Sequence, residues 1–256
     1  IKYHDNRIFD GKVSSATVSM SKTGKFFVSL LTKEEIEYFV PNENVIGIDL
    51  GLTSFAVDSN GNKFVHPKFY QKLQKKLAKE QRKFSRKVKS SNNRNKQRIR
   101  VARVYEKIRN QKTDYLHKLS SKIINENQVI IVEDLNVAGM VKNRKLSKSI
   151  MQSNWSEFVQ MLIYKADWRG RILEKVDRFF PSTKLCSNCG HKNVELILSD
   201  REWKCKVCNS FHDRDINAAI NLRNKNTVGT AEIYACGDMK TTLVASAQES
   251  ISFREW

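Results

Sequence analysis

Two Cys-x2-Cys pairs, Cys186 with Cys189 and Cys205 with Cys208, stand fifteen residues apart and restrict this chain more than any other feature. An interval of two residues lets both thiolates of a pair face one tetrahedral ion at ~2.3 Å. Gly190 follows the first pair and Asn209 the second; both residue types tolerate the positive φ of a tight reversal. Buried or disulfide-bonded cysteines are the competing explanation. In a Lys-rich chain with no secretory signal visible at its start, metal is the expectation. Four thiolates close a coordination sphere, so a zinc ribbon over residues 182–211 is expected to hold one structural Zn²⁺ with no catalytic position. Cys236 has no partner in this pattern and reads as an ordinary small residue.

The remainder alternates between strand and helix signals. Ala16–Met20 and Lys25–Leu31 read as a hairpin or barrel fragment turning at Thr23-Gly24. Val45–Gly51 (VIGIDLG) is an apolar strand with an acid near its end, and Ser54–His66 reads as two further strands around Asn60-Gly61. Gln128–Leu135 (QVIIVEDL) is a buried strand ending in two acids, and Arg171–Phe180 is another strand. Trp155, Phe158, Val159, Leu162, Ile163 and Ala166 mark an amphipathic helix, with Asn154 as its cap and Glu157 three residues on. Residues 136–150 read as a basic loop in which Lys142–Lys148 is a candidate lid, and Asp215–Arg223 as a short helix. Beyond Asn224 the pattern is irregular. This order of elements gives an α/β fold with a mixed sheet.

Charge is concentrated in one stretch. The chain carries 46 Lys and Arg against 27 Asp and Glu, a net +19. Residues 68–127 hold 20 of the basic residues and 4 of the acidic ones, or +16. Apolar residues recur there at helical spacing (Phe69, Leu73, Leu77, Phe84, Val88; then Val101, Val104, Ile108, Tyr115, Leu119, Ile123), which predicts two long helices joined at Ser90–Asn93. A charge run is usually a solvated face, but a run of one sign favours a polyanion. The candidate phosphate contacts are Lys76, Arg82, Lys83, Arg86 and Lys87, then Arg94, Lys96, Arg98, Arg100 and Arg103. No apolar run approaches the ~20 residues of a membrane span, so no membrane partner is expected. The first residue is Ile1, and the chain is expected to begin partway through a longer protein.

Three carboxylates complete the pattern. Asp49 lies near the end of one apolar strand, Glu133 or Asp134 at the end of another, and Asp215 or Asp213 before a helix. Singly, each has an ordinary explanation as a turn, a solvated strand end or a helix cap. Gathered at one rim of a sheet, they would suit Mg²⁺ or Mn²⁺, and a pair of such ions cleaves phosphodiesters.

GIDLG (Gly47–Gly51), VEDL (Val132–Leu135), CSNCG (Cys186–Gly190), CKVC (Cys205–Cys208) and HDRDINAAINL (His212–Leu222), in this order, resemble the TnpB/OrfB proteins of bacterial transposons, relatives of the type V CRISPR nucleases. The resemblance runs through most of the chain and implies an RNase H-like (RuvC) core with a long basic helical insert. It implies a partial N-terminal β region over residues 1–44, a core over 45–181 with the insert at 68–127, the zinc ribbon at 182–211, the end of the core at 212–240 and a tail at 241–256. It also implies a guide-RNA-directed DNA endonuclease whose site is Asp49, Glu133 and Asp215 holding two Mg²⁺ or Mn²⁺, with Asn217 supporting that site. Its partners would be target DNA and an RNA from the transposon locus, in a prokaryotic cytoplasm. Where the family pattern has Gly after the fourth cysteine, this chain has Asn209. Two other functions are weighed: a relative that binds nucleic acid without cutting it, and a transposase that joins strands by the same metal chemistry.

Overall fold

The computed structural model describes residues 12–33, 35–197, 199–226 and 246–253. The chain forms two compact units, one of residues Ile1–Glu37, Lys68–Tyr115 and Thr241–Trp256, the other of Tyr38–Pro67 and Leu116–Lys240.

In the first unit β1 (Lys12–Met20) and β2 (Phe26–Lys33) form the expected antiparallel hairpin. The sheet is larger than the sequence suggested. The last strand, β10 (Ser246–Phe253), in the tail read as irregular, pairs antiparallel with β2. Its partner supplies the order that its own pattern does not announce. The basic stretch forms α1 (Phe69–Ser85) and α2 (Asn92–Glu126); α2 passes into the second unit from Leu116 onward. Between the helices Leu77 and Val104 are buried, and buried Gln97 donates to the Glu80 carbonyl at 3.1 Å and carboxylate at 2.7 Å. Val88 does not extend the apolar stripe: α1 ends before it, and its side chain is exposed.

The second unit is built on a five-stranded mixed sheet of order β5-β4-β3-β6-β7. Its strands are β3 (Val45–Asp49), β4 (Ala56–Asp58), β5 (Lys63–Phe64), β6 (Val129–Glu133) and β7 (Ile172–Val176). β3, β6 and β7 are parallel, while β4 and β5 return antiparallel through the turn read at Asn60-Gly61. The apolar runs of β3 and β6 reflect burial on both faces. Ile46, Ile48, Ile130 and Val132 are buried on one face, and Val129 and Ile131 pack with Leu222 on the other.

Residues 136–150 are more ordered than the loop expected. They contain α3 (Val137–Met140) and the start of α4 (Ser147–Ser153). α5 (Trp155–Arg169) buries Trp155, Phe158, Leu162 and Ala166 of the expected stripe and adds Met161, while Val159 and Ile163 are only partly buried. Its expected cap is not made. Asn154 takes a left-handed conformation, φ 59°, at the junction of α4 and α5, and its side chain donates to Glu157 instead of accepting a backbone N–H. Asn enters that region more readily than most residues, so it serves here as a corner.

α6 (Arg214–Asn226) lies on the sheet at Gly47. A Cβ at Gly47 would fall 2.1 Å from the Ala219 carbonyl oxygen and 2.6 Å from the Arg223 nitrogen. Both atoms are helix backbone and cannot swing aside. Gly47→Ala is therefore expected to destabilise the fold by about 3 kcal/mol through overpacking, read from urea unfolding. A loss within experimental error would show that α6 is not seated at this point.

Candidate functional site

Strand register brings two of the acids together. Val45 pairs with Val129 and Ile48 with Val132 in parallel, so Asp49 and Glu133 come next on neighbouring strands. Alternation puts both on the face of Val45, Gly47, Val129 and Ile131, the face covered by α6. Arg223 meets Gly47 and lines a cavity beside Val45, so α6 runs opposite to β3. Two residues from Gly47 to Asp49 advance ~6.6 Å along the strand. Four residues from Ala219 back to Asp215 retrace ~6 Å of helix. The first turn of α6 therefore presents Asp215 at the strand ends that carry Asp49 and Glu133.

The electrostatics record this convergence. Asp49 is buried, and its pKa is pushed up to about 7, first by desolvation and then by the charges of Asp215 and Glu133, against a smaller pull from Arg214. Burial, with Asp134 beside it, raises Glu133 as well. Asp215 pairs with Arg214 Nε at 3.5 Å and with Arg201 Nη1 at 3.7 Å.

The acids that the sequence left as alternatives have other engagements. Asp134 accepts from Arg178 Nη2 at 2.6 Å. Asp213 pairs with Lys63, and its Oδ1 accepts the backbone N–H groups of Asp215 and Ile216, each at 3.1 Å. Asp213 is thus the helix cap. Burial would raise its pKa, but the Lys63 ammonium and these N–H groups hold it below its ordinary value.

The four cysteines come together as their spacing required. Their sulfurs lie within 4.8 Å of one another, with Cys186 to Cys208 and Cys189 to Cys205 both at 3.6 Å. That is far beyond the ~2.05 Å of a disulfide and close to the ~3.8 Å edge of a tetrahedron with 2.3 Å bonds. The donor set fits a metal such as zinc. Among the described residues it is the only group of three or more potential ligands gathered this tightly. Each pair turns back on itself: Gly190 N–H bonds to the Cys186 carbonyl at 2.8 Å, and Asn209 N–H to that of Cys205 at 3.0 Å. The positive φ values are 74° at Gly190 and 58° at Asn209. Asn209 therefore fills the place of a glycine without changing the turn. β8 (Glu202–Lys204) and β9 (Phe211–Asp213) form a hairpin on which buried Trp203 tilts against His212, whose Nε2 lies 3.0 Å from Cys186 Sγ. Cys236 lies outside the described residues.

Asn217 is buried, and its amide is consumed by this module: Oδ1 accepts Ser187 N–H at 2.9 Å and Nδ2 donates to the Leu185 carbonyl at 2.7 Å. Asn221, which the sequence reading missed, donates to the carbonyls of Ser182 and Leu185, each at 2.7 Å. The two amides, four residues apart on an otherwise apolar helix face, tie α6 to the first cysteine turn. That spacing on a buried face was the available signal.

Of the ten basic candidates, nine are exposed. Arg94 differs: Nη1 donates to the carbonyls of Phe84 at 3.2 Å and Lys87 at 2.9 Å, and the guanidinium stacks on Phe84. It clamps the turn between α1 and α2. Lys76, Lys83, Arg100 and Arg103, with Lys107 and Glu80, line a groove of about 480 Å³ between the helices. Lys107 was not singled out, although it continues the Arg100, Arg103 face at helical spacing. Among the described residues no helix is long and apolar enough to cross a membrane.

These features define a mixed α/β protein with a four-cysteine cluster. Two solved structures share its fold: a Cas12f1–sgRNA–target DNA complex (TM-score 0.52, 18% identity, 84% of this chain and 65% of that one) and a CRISPR-Cas12f ternary complex (0.53, 20%, 84% and 46%). A family described as "Probable transposase" (OrfB_IS605) matches residues 28–144, and the "Cas12f1-like, TNB domain" matches residues 155–222. A Streptomyces pristinaespiralis protein named "Putative RNA-guided DNA endonuclease" is 43% identical over 88% of this chain and 55% of its own length. An Escherichia coli protein of the same description, InsQ, is 35% identical over 93% and 62%. A TnpB-like protein of Methanocaldococcus jannaschii is 30% identical over 72% and 69%. The chain belongs to the TnpB family, and it spans little more than half the length of the first two of these relatives.

Proposed function

We propose that this chain carries the RuvC-like catalytic part of an RNA-guided DNA endonuclease of the TnpB type. What supports this reading above all is the register that sets Asp49 beside Glu133 and faces both with Asp215. A buried Asp49 whose proton affinity is raised by the charges of Asp215 and Glu133 would be relieved by a hard cation, and the fit to Mg²⁺ or Mn²⁺ follows from the all-oxygen donor set. Divalent ions bound there would supply Lewis-acid stabilisation of the charge that develops on a phosphodiester. Asp49 and Asp215 would be the ligands, and Glu133 would complete the site.

The protein's other residues position and support. Asp213 caps α6 and so aims Asp215. Asn217 and Asn221 brace α6 against the cysteine module, which in this reading is a zinc ribbon holding one structural Zn²⁺. Lys76, Arg82, Lys83, Arg86, Lys87, Lys96, Arg98, Arg100 and Arg103 offer phosphate contacts without base reading, the recognition suited to an RNA–DNA duplex.

The test is cleavage of labelled single- and double-stranded DNA in Mg²⁺, with and without RNA copurified from the native locus, beside Asp215→Ala. Cutting that requires both RNA and Asp215 is the expected result. Equal cutting by the variant removes the assignment. Salt-sensitive RNA binding with no cutting by the unmodified chain would point to an incomplete chain or a binder, and joined strands would make it a transposase.

A further inference from the structure

Phe179 is 84% exposed and offers a large apolar ring to solvent. It does not sit on a loose loop. Its N–H bonds to Asp177 Oδ1 at 2.7 Å, and the next N–H, of Phe180, bonds to the Asp177 carbonyl at 3.0 Å. On one side Arg178 is held by Asp134 at 2.6 Å. On the other, Phe180 packs against the core cluster of Val129, Ile131, Val176 and Leu222, and the Ser182 carbonyl accepts from Asn221. The chain is thus pinned on both sides of a ring turned to solvent.

Glu133 pairs with Val176 in the sheet, and Asp134 N–H bonds to the Val176 carbonyl at 3.0 Å. The turn bearing Phe179 therefore leaves the same sheet edge at which Asp49 and Glu133 end. Arg178, its neighbour, touches the residue next to Glu133. A rigid, solvent-facing aromatic ring at this edge matches the face of an unpaired base, and stacking of this kind is indifferent to base identity.

We propose that Phe179 is a stacking platform for an unpaired nucleobase of the strand entering the carboxylate site, a positioning residue and not a catalytic one. The inference rests on the nuclease reading of that site, but its test needs no cleavage. The probes are single-stranded DNA oligonucleotides with 2-aminopurine placed at successive positions, single-stranded RNA of the same sequence, and a DNA duplex. They are bound to this chain, with its cysteine metal in place, in the Asp49→Asn background.

Quenching confined to one or two adjacent positions is expected. It should be lost in Phe179→Ala and Phe179→Leu and kept in Phe179→Tyr, with single-strand affinity about tenfold weaker in the first two and duplex affinity unchanged. The more sensitive of the DNA and RNA strands identifies the source of the base. Unchanged quenching in Phe179→Ala overturns the proposal, as does an equal loss of duplex and single-strand binding or full affinity in Phe179→Leu. The nuclease reading fails separately, if the Asp49→Asn chain cuts like the original.

Discussion

Asp49→Asn is expected to lower metal-dependent cleavage at least about a thousandfold, the equivalent of losing roughly 4 kcal/mol of transition-state stabilisation, while nucleic-acid binding survives. The same change should stabilise the metal-free protein, which separates a functional acid from a structural one. The Asp49 carboxyl has its pKa raised from 3.8 to about 7 by burial and by the charges of Asp215 and Glu133. The folded protein therefore holds this proton more tightly than the unfolded chain does. The resulting stability is fully present below about pH 4 and is lost as pH rises through about 7. Above pH 7 the ionised acid is a burden of a few kcal/mol, on the order of 1.4 kcal/mol for each pH unit of raised pKa. Asn carries no such burden, so the metal-free variant should melt higher than the original at pH 8 and show no such gain at pH 4. Mg²⁺ should narrow the gap by stabilising only the original, and its affinity should rise with pH through about 7 as proton competition falls away. Calorimetric melting at the two pH values, with and without Mg²⁺, reads all of this. A variant that cuts normally, or that is less stable at pH 8, would place Asp49 among ordinary structural carboxylates.

Cys205→Ser should be as damaging, by a different route. The cysteine module has a small core of its own, formed by Cys186, Leu196, Trp203 and Cys205, with Cys208 packed against it. Four or five side chains cannot offset the ordering of about thirty residues, whereas a structural zinc contributes about 10–16 kcal/mol of apparent binding energy. Replacing one thiolate, or chelating the ion, is expected to release one equivalent of zinc and unfold the module. Buried Trp203 should then shift its emission to the red. Because Asn217 and Asn221 brace α6 on residues 182–187, the Asp215 turn should lose its support and cleavage should fall with the module. Zinc content, tryptophan emission and cleavage, measured on one preparation, form the test. A Cys205→Ser chain that keeps a full equivalent of zinc and an unchanged emission would remove the metal from the account.

Much of this was legible in the sequence because the signals were local. Two-residue cysteine spacing commits the thiols to one ion wherever the module sits. Apolar runs as dense as VIGI and VIIV have few homes other than a buried parallel sheet. The helical period of residues 69–123 survives a heavy load of positive charge, since one narrow stripe suffices to pack. The β10 strand was not legible, because it is held by pairing with β2, a partner more than two hundred residues away. The capping expectation at Asn154 failed because two helices meet there, and the corner between them took priority over an end bond.

The three acids divide along the same line. Sequence by itself determined that Asp49 and Glu133 end apolar strands and that Asp215 opens a helix, since composition and period decide such elements. It left Asp134 and Asp213 as equal candidates, and only the family resemblance chose between them. In the structure Asp134 pairs with Arg178, while Asp213 caps α6 and pairs with Lys63. Only tertiary structure decided that strand register and the contact of α6 at Gly47 bring Asp49, Glu133 and Asp215 to one edge. A chain specifies its elements through neighbours a few residues apart, whereas the meeting of three acids depends on which faces pack together.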